Sequence, residues 1–328
     1  MNSPPRDLDE PALAAALERH WGIVEPRLEY LPVGFGSDHW EAVATDGSRW
    51  FVSADDLEHP RFVGVAPDDA FAALGRAFGT AVALHDAAGL EFVLAPVPSH
   101  DGNPLRRLDA RYSIRVEPFV EGPAGDFGEF DRPERRRMGA LLGRLHAASG
   151  SVPPGLPGRE DFALPGREAL EEAFAGLDAP WNVGPFGEPA RHLLRTHADR
   201  VRARLLAYDR LGGLVRDGPD PWVVTHGEPH GANVIRDGIG GLRLVDWDTA
   251  LIGPRERDLW MVLDPELSGW DEYREHAGDV PLNEDALRLC RERWALAEIC
   301  VYVAEFRRPH EDTEDTRTSW QGLNQYIE

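Results

Sequence analysis

Between Val223 and Trp260 the chain reads VVTHGEPHGANVIRDGIGGLRLVDWDTALIGPRERDLW. A carboxylate in a loop at the end of a strand, as at Glu228, can accept a proton from a hydroxyl. An amide five residues on, Asn233, stands at the start of the next strand and can reach back as an oxygen ligand. A second carboxylate, Asp246, ends the hairpin's return strand and faces the same space. Asn plus Asp is a hard-oxygen pair suited to Mg²⁺, which keeps most of its waters and binds phosphate oxygens. Together these groups make up the inventory that phosphoryl transfer needs. His226 and His230 flank Glu228 and raise zinc as a rival. A zincin motif, however, places its Glu next to the first His on a continuous helix, and here Pro229 interrupts any helix and the Glu is displaced.

These residues need strands to deliver them. Short strands are expected at Pro221–Thr225, Asn233–Arg236 and Leu242–Val245. Upstream, residues 28–54 read as a β-meander: Leu28–Val33, a Gly34-x-Gly36 turn, Asp38–Thr45, an Asp46-Gly47 hairpin signal, then Arg49–Ala54. Pro67–Ala88 reads as a helix, with Phe71, Leu74, Phe78 and Val82 at helical spacing. Glu91–Val97 and Arg111–Val116 read as two more strands. After a Glu117–Gly125 connector the pattern turns helical. Asp131 and Glu134 form a capping-box start, and Met138, Leu141, Leu142 and Leu145 make one apolar stripe. Residues 150–166 read as a long loop. Glu188–Leu211 and Asn283–Phe306 read as long helices, and Trp320, Leu323 and Tyr326 predict a short docked helix in the tail.

Composition narrows the function classes. The chain has 328 residues, enough for two packed lobes, and a net charge of −22. Such a surface repels phosphate backbones, which argues against a nucleic-acid partner, and attracts cationic small molecules. All 35 basic residues are arginine. Without lysine there is no Walker A loop and no Schiff base. Cys290 and Cys300 lie about 15 Å apart on one expected helix, so they cannot bridge each other. No run of about 18 apolar residues is present and the N-terminus has no apolar h-region. The reading is therefore a chain with no membrane span and no signal peptide, in a reducing cytoplasm.

The loop His226-Gly-Glu-Pro-His-x-x-Asn233, followed by Val245-Asp-Trp-Asp248 and Arg257-Asp-Leu259, resembles the aminoglycoside phosphotransferase family. These are small-molecule kinases with a protein-kinase-like fold. Leu142-Gly-Arg-Leu-His146 and Phe119-Val-Glu-Gly122 look like that family's first large-lobe helix and its inter-lobe hinge. The resemblance covers roughly residues 28–265. It implies an α+β, two-lobed fold with a small β-rich N-lobe (1–116), a hinge (117–125) and a larger, mainly helical C-lobe (126–328).

It also implies roles. Glu228 stands where the family usually has its catalytic Asp. Asn233 and Asp246 match metal ligands, while His226 and Asp258 match residues that brace the catalytic loop. Gly34, Gly36 and Ser53 fall on the nucleotide side, and backbone groups near Glu117 and Phe119 would meet the base. The cofactors implied are ATP or GTP with Mg²⁺, and the acceptor is a small-molecule hydroxyl, an aminoglycoside or another cationic metabolite.

Two departures stand out. Glu228 is one methylene longer than Asp. Ser53 occupies the place of the phosphate-binding lysine, and the 67–88 helix, which should carry that lysine's glutamate partner, contains no Glu. Arg61 and His39 are the candidate replacement cations, whereas Arg76 points away from its helix's apolar stripe. The alternatives are a nucleotide-binding pseudokinase or a peptide or protein kinase. The sequence leaves the acceptor, the choice of ATP or GTP, and the oligomeric state open.

Overall fold

Alternation along the N-terminal strands dictates a sheet with one apolar face. Trp40, Ala42, Val52, Ala54, Ile114 and Val116 are all buried in one cluster, and a period of two puts their odd-numbered neighbours on the other face. The computed structural model describes residues 4–5, 7–34, 36–59, 62, 65–128, 130–238 and 240–328. They form an α+β fold, β-rich toward the N-terminus and mainly helical toward the C-terminus.

Two compact units are present. One comprises residues 1–57, 67–160 and 220–282; the other comprises 58–66, 161–219 and 283–328. The first unit opens with α1 (Glu10–Trp21), followed by β1 (Arg27–Leu31), β2 (Asp38–Val43) and β3 (Arg49–Asp56). After α2 (Pro67–Asp86) come β4 (Arg106–Arg107) and β5 (Tyr112–Pro118). The five strands form one sheet in the order β1-β2-β3-β5-β4, and all its pairs are antiparallel. Leu13 and Leu17 of α1 pack on its apolar face. Burial of that face is the main stabilising term, at about 25 cal/mol per Å² of apolar surface removed from water.

The opposite face is polar. Ser53 pairs with His39 on β2 and with Arg115 on β5, so the three share one cross-strand row. Glu117 pairs with Phe51 in the row on one side of it, and Asp55 with Ser113 in the row on the other side.

The same unit continues through α3 (Arg132–Ala147), β6 (Gly158–Arg159), β7 (Val223–Thr225), β8 (Val234–Arg236), β9 (Leu242–Leu244) and β10 (Leu251–Gly253). Helices α6 (Glu256–Val262) and α7 (Trp270–Ala277) complete it. β8 and β9 form the expected hairpin, and β10 joins β6 and β7 in a small separate sheet. Asp131 caps α3, accepting from the Glu134 amide at 2.8 Å.

In the second unit are α4 (Arg167–Ala175), α5 (Gly187–Arg216), α8 (Glu284–Phe306) and α9 (Glu314–Ile327). Helix α9 is the docked tail helix, with Leu323 and Ile327 fully buried. Cys290 and Cys300 are both buried on α8 and unpaired with each other.

One expected strand is absent. Residues 91–97 make a single parallel bridge, Val93 to Leu244, instead of a ladder. The Leu94 amide donates to the Leu244 carbonyl at 3.0 Å and the Leu244 amide to Phe92 at 2.7 Å. Pro96 and Pro98 lack amide protons, so the pairing cannot extend beyond that bridge. Helices α1, α4 and α7 are present where the sequence reading placed none. Among the described residues no helix is long and apolar enough to cross a membrane.

Candidate active site

The His226–Asn233 loop is held by its own backbone. Asp258, fully buried at the N-terminal end of α6, accepts hydrogen bonds from the amides of His226 (2.9 Å) and Gly227 (2.6 Å). His146 on α3 donates its Nε2–H to the same carboxylate at 2.9 Å, and its Nδ1 accepts from the Tyr273 hydroxyl at 2.8 Å. Burial works to raise the Asp258 carboxyl. The hydrogen bond from His146, with the charge of Arg257 nearby, outweighs it and holds the group below the usual aspartate value.

His226 is fixed at both nitrogens. Its Nε2–H donates to the Val245 carbonyl at 2.8 Å, and its Nδ1 accepts from the Glu228 amide at 3.1 Å. Its ring meets Trp247 edge-on at 4.6 Å. Burial lowers its pKa, favouring the neutral ring that this pattern requires. Gly227 sits at φ +103, and a Cβ there would come within 2.3 Å of Arg257 Nη1. Only glycine fits, because that guanidinium is itself locked to Thr225 Oγ1 (2.9 Å) and to the Thr249 carbonyl (2.9 Å).

The loop therefore presents Glu228 and Asn233 in a fixed relation. The Asn233 amide nitrogen donates to the Glu228 carbonyl at 3.0 Å, which leaves the amide oxygen for a ligand. The Glu228 side chain remains 35% exposed, with His230 Nε2 3.8 Å from its Oε2. Burial pushes its carboxyl up, but the neighbouring His230, with the charge of Arg257, brings it below the ordinary glutamate value. His230 itself packs against Phe127, with ring centroids 4.2 Å apart.

Asp246 comes from the other end of the same hairpin. Val245 donates to the Asn233 carbonyl at 3.0 Å, which brings Asp246 next to Asn233. Its backbone is left-handed, at φ 64 and ψ 66, and its side chain is 41% exposed. A non-glycine residue held in that region costs of order 1 kcal/mol and marks a place where function sets the conformation.

Asn233 and Asp246 both line a cleft of about 390 Å³ that lies within the first unit. Gly34, His39, Phe51, Glu117, Phe119 and Trp247 line it too. A volume of this size suits a small ligand. Gly34 has φ +72, and a Cβ there would lie 2.9 Å from His39 Nε2. The Phe119 amide donates to the Arg49 carbonyl at 3.4 Å, and the Arg49 guanidinium stacks 4.0 Å from the Phe119 ring. Ser53 and Gly36 are not among the described residues that line the cleft. Ser53 is fully buried, its Oγ 3.0 Å from His39 Nδ1. Arg76 is exposed on α2, and Arg61 lies outside the described residues.

Two oxygen ligands on one wall do not make a dedicated cage. They fit a Mg²⁺ ion that keeps waters and shares phosphate oxygens. Among the described residues there is no cluster of three or more His, Cys, Asp or Glu placed to hold a metal.

The sequence reading missed two features of this site. Arg115 lines the cleft with its side chain only 4% exposed. Glu117 enters through its buried side chain as well as through its backbone. Strand alternation contained the signal: Arg115 and Glu117 are out of phase with Ile114 and Val116, so they belong to the face opposite the core.

The phosphotransferase enzyme family model matches residues 42–293. No curated protein matches the chain. Among solved structures, the chain is similar to spectinomycin phosphotransferase in complex with ADP and spectinomycin, at 16% identity and TM-score 0.73, covering 98% of this chain and 95% of that one. It is similar to a macrolide 2′-phosphotransferase from Brachybacterium faecium, at 19% identity and TM-score 0.52, covering 98% of each. It is similar also to a microcompartment-associated aminopropanol kinase, at 16% identity and TM-score 0.56, covering 97% of this chain and 94% of that one. With a family match spanning most of its length, this chain belongs to the phosphotransferase enzyme family.

Proposed function

We propose that the protein is a small-molecule kinase that moves the γ-phosphoryl group of ATP or GTP to a hydroxyl, with Mg²⁺. The observation that carries the reading is the convergence of Asn233 and Asp246 on one cleft wall while the loop between His226 and Asn233 is locked by the buried Asp258. Phosphoryl transfer is mostly positioning and charge neutralisation, and rigid placement of a few groups supplies both.

In this reading the acceptor oxygen forms a bond to the γ-phosphorus as the bond to the β-bridging oxygen breaks. The acceptor proton goes to the Glu228 carboxylate. Asn233 and Asp246 hold Mg²⁺, whose charge offsets that of the phosphates. His226 and Asp258 keep the loop in register, and Gly34, Glu117 and Phe119 meet the nucleotide. The extra methylene of Glu228 is accommodated by a loop that pins its backbone at both the amide and the carbonyl.

The acceptor class is a cationic hydroxyl compound, an aminoglycoside or a smaller amino alcohol. The net charge of −22 supports this choice, as does the likeness to kinases named for spectinomycin and aminopropanol.

A thermal-shift titration with ATP and GTP, with and without Mg²⁺, tests the reading. A nucleotide bound well below its working concentration raises the midpoint, since ligand binding to the folded state alone adds RT ln(1 + [L]/Kd). An acceptor screen by mass spectrometry then looks for a mass gain of one phosphoryl group. A protein indifferent to both nucleotides overturns the proposal. Nucleotide binding with no transfer to any hydroxyl acceptor favours a pseudokinase.

A further inference from the structure

A kinase cleft needs a fixed cation for the nucleotide phosphates, and the usual lysine position holds Ser53, buried against His39. The cross-strand register places Arg115 of β5 directly beside Ser53, on the same face of the sheet. Among the described residues that line the cleft, Arg115 is the one arginine. Its Nη1 donates to Asp55 Oδ2 at 2.7 Å and its Nε to Glu117 Oε1 at 2.8 Å. Burial works against the charged form, but Asp55 and Glu117 outweigh it and hold the guanidinium charged. The face of the Phe78 ring lies 4.6 Å from Arg115 Cζ.

Asp55 is itself oriented, because its Oδ1 accepts from Ser37 Oγ at 2.8 Å. Ser37 follows Gly36 directly in the chain, so the cation and this segment are tied together through one carboxylate. Two of the three guanidinium nitrogens are thus committed. The third, Nη2, is 3.8 Å from Asp246 Oδ1, beyond hydrogen-bond range. Its donors stand beside the residue that the reading above assigns to Mg²⁺.

Resting on that reading, we propose that Arg115 is the phosphate clamp of this enzyme, moved one strand over from the lysine position, with Asp55 and Glu117 in place of the missing helix glutamate. The relocation explains the paired loss of both lysine and glutamate. Once the orienting carboxylates lie on the sheet, at Asp55 and Glu117, α2 has no partner to supply. It also explains how a chain with no lysine keeps a fixed cation at the site. The donors on Nη2 can direct hydrogen bonds at phosphate oxygens, where lysine offers a point charge.

The test compares nucleosides with nucleotides. Calorimetry measures the affinities of adenosine and ADP, and of guanosine and GDP, in the presence of MgCl₂. Arg115→Met should weaken the diphosphate by about 10- to 100-fold, the range for a charged hydrogen bond, and leave its nucleoside within about two-fold. Arg115→Met leaves two buried carboxylates without their cation and can unfold the sheet. A triple variant, Arg115→Met with Asp55→Asn and Glu117→Gln, removes the charges together and should show the same selective loss. Arg115→Lys should restore part of the diphosphate affinity. Equal weakening of nucleoside and diphosphate, or no weakening of either, overturns the clamp while leaving nucleotide use by the wild type standing. A wild-type protein that binds no diphosphate overturns both proposals.

Discussion

Glu228 and Asp258 are both carboxylates on the catalytic-type loop network, yet their surroundings divide their work. Asp258 is fully buried and spends its oxygens on two amides and His146, so it has no room for a substrate proton. Glu228 is partly exposed, with His230 3.8 Å from its tip, so of the two it is the carboxylate that can receive a proton. Glu228→Gln keeps the shape and removes the basicity. It should leave nucleotide binding intact and slow transfer by about 10²–10⁴-fold, read as single-turnover rates; a rate unchanged by the substitution would remove Glu228 as the base. Asp258→Asn should act on stability instead. The folded-state pKa of Asp258 lies below its unfolded value, so its stabilisation is complete above about pH 4 and is lost as the pH falls through the folded value. Urea midpoints should fall more steeply with acid in the wild type than in Asp258→Asn, which should already be about 2–4 kcal/mol less stable at pH 7. Parallel acid profiles would mean that Asp258 titrates alike in both states. These loop residues were legible in the sequence as candidates because residue types at that spacing point to a chemistry. Arg115 was not, because an arginine in a strand reads as an exposed residue until the register shows which face it shares.

Helix α3 illustrates how elements carry precision to that loop. A Cβ on Gly139 would lie 2.1 Å from the Gly269 carbonyl oxygen, and one on Gly143 would lie 2.5 Å from that of Tyr273. The two glycines, one helical turn apart, form a groove that admits the backbone around α7. Close approach puts the Tyr273 hydroxyl on His146, and His146 on Asp258, which holds the loop amides. Gly139→Ala therefore sets two effects against each other. Helix propensity favours alanine by up to about 1 kcal/mol. Overpacking against backbone that cannot rotate away costs about 1–3 kcal/mol, and the collision wins. The expected result is a net loss of about 1–2 kcal/mol in chemical denaturation, and a stabilised variant would contradict the close approach. Long helices were legible because their apolar spacing spans many residues, and the three-residue strands β8 and β9 because a Gly-rich turn separates two short apolar runs. Helix α7 was not: its eight residues, WDEYREHA, bury only Tyr273 and show too little periodicity to separate them from loop. The 91–97 segment failed for the reverse reason, since its apolar run met the strand pattern while Pro96 and Pro98 removed the donors that a ladder needs.

At the scale of the whole molecule, charge distinguishes the two substrates of the proposed reaction. With 57 acidic and 35 basic residues, the protein carries −22 before any ligand arrives. A magnesium–nucleotide complex is still anionic and approaches against that field, while a cationic acceptor approaches along it. Salt screens interactions between exposed charges beyond about 8–10 Å near physiological ionic strength. The long-range contribution should therefore shrink for both ligands, with opposite signs. Between about 20 and 300 mM KCl, association of a cationic acceptor should slow, and association of the magnesium–nucleotide should quicken slightly, each followed by stopped-flow binding at fixed free Mg²⁺. Contacts at close range inside the cleft, beside the buried Arg115, are screened much less, so dissociation rates should change little. The opposed salt slopes separate acceptor chemistry from a general salt effect on folding, which would move both ligands the same way. An acceptor whose association is flat over that range is neutral, and the cationic assignment then fails even though the phosphotransferase machinery stands.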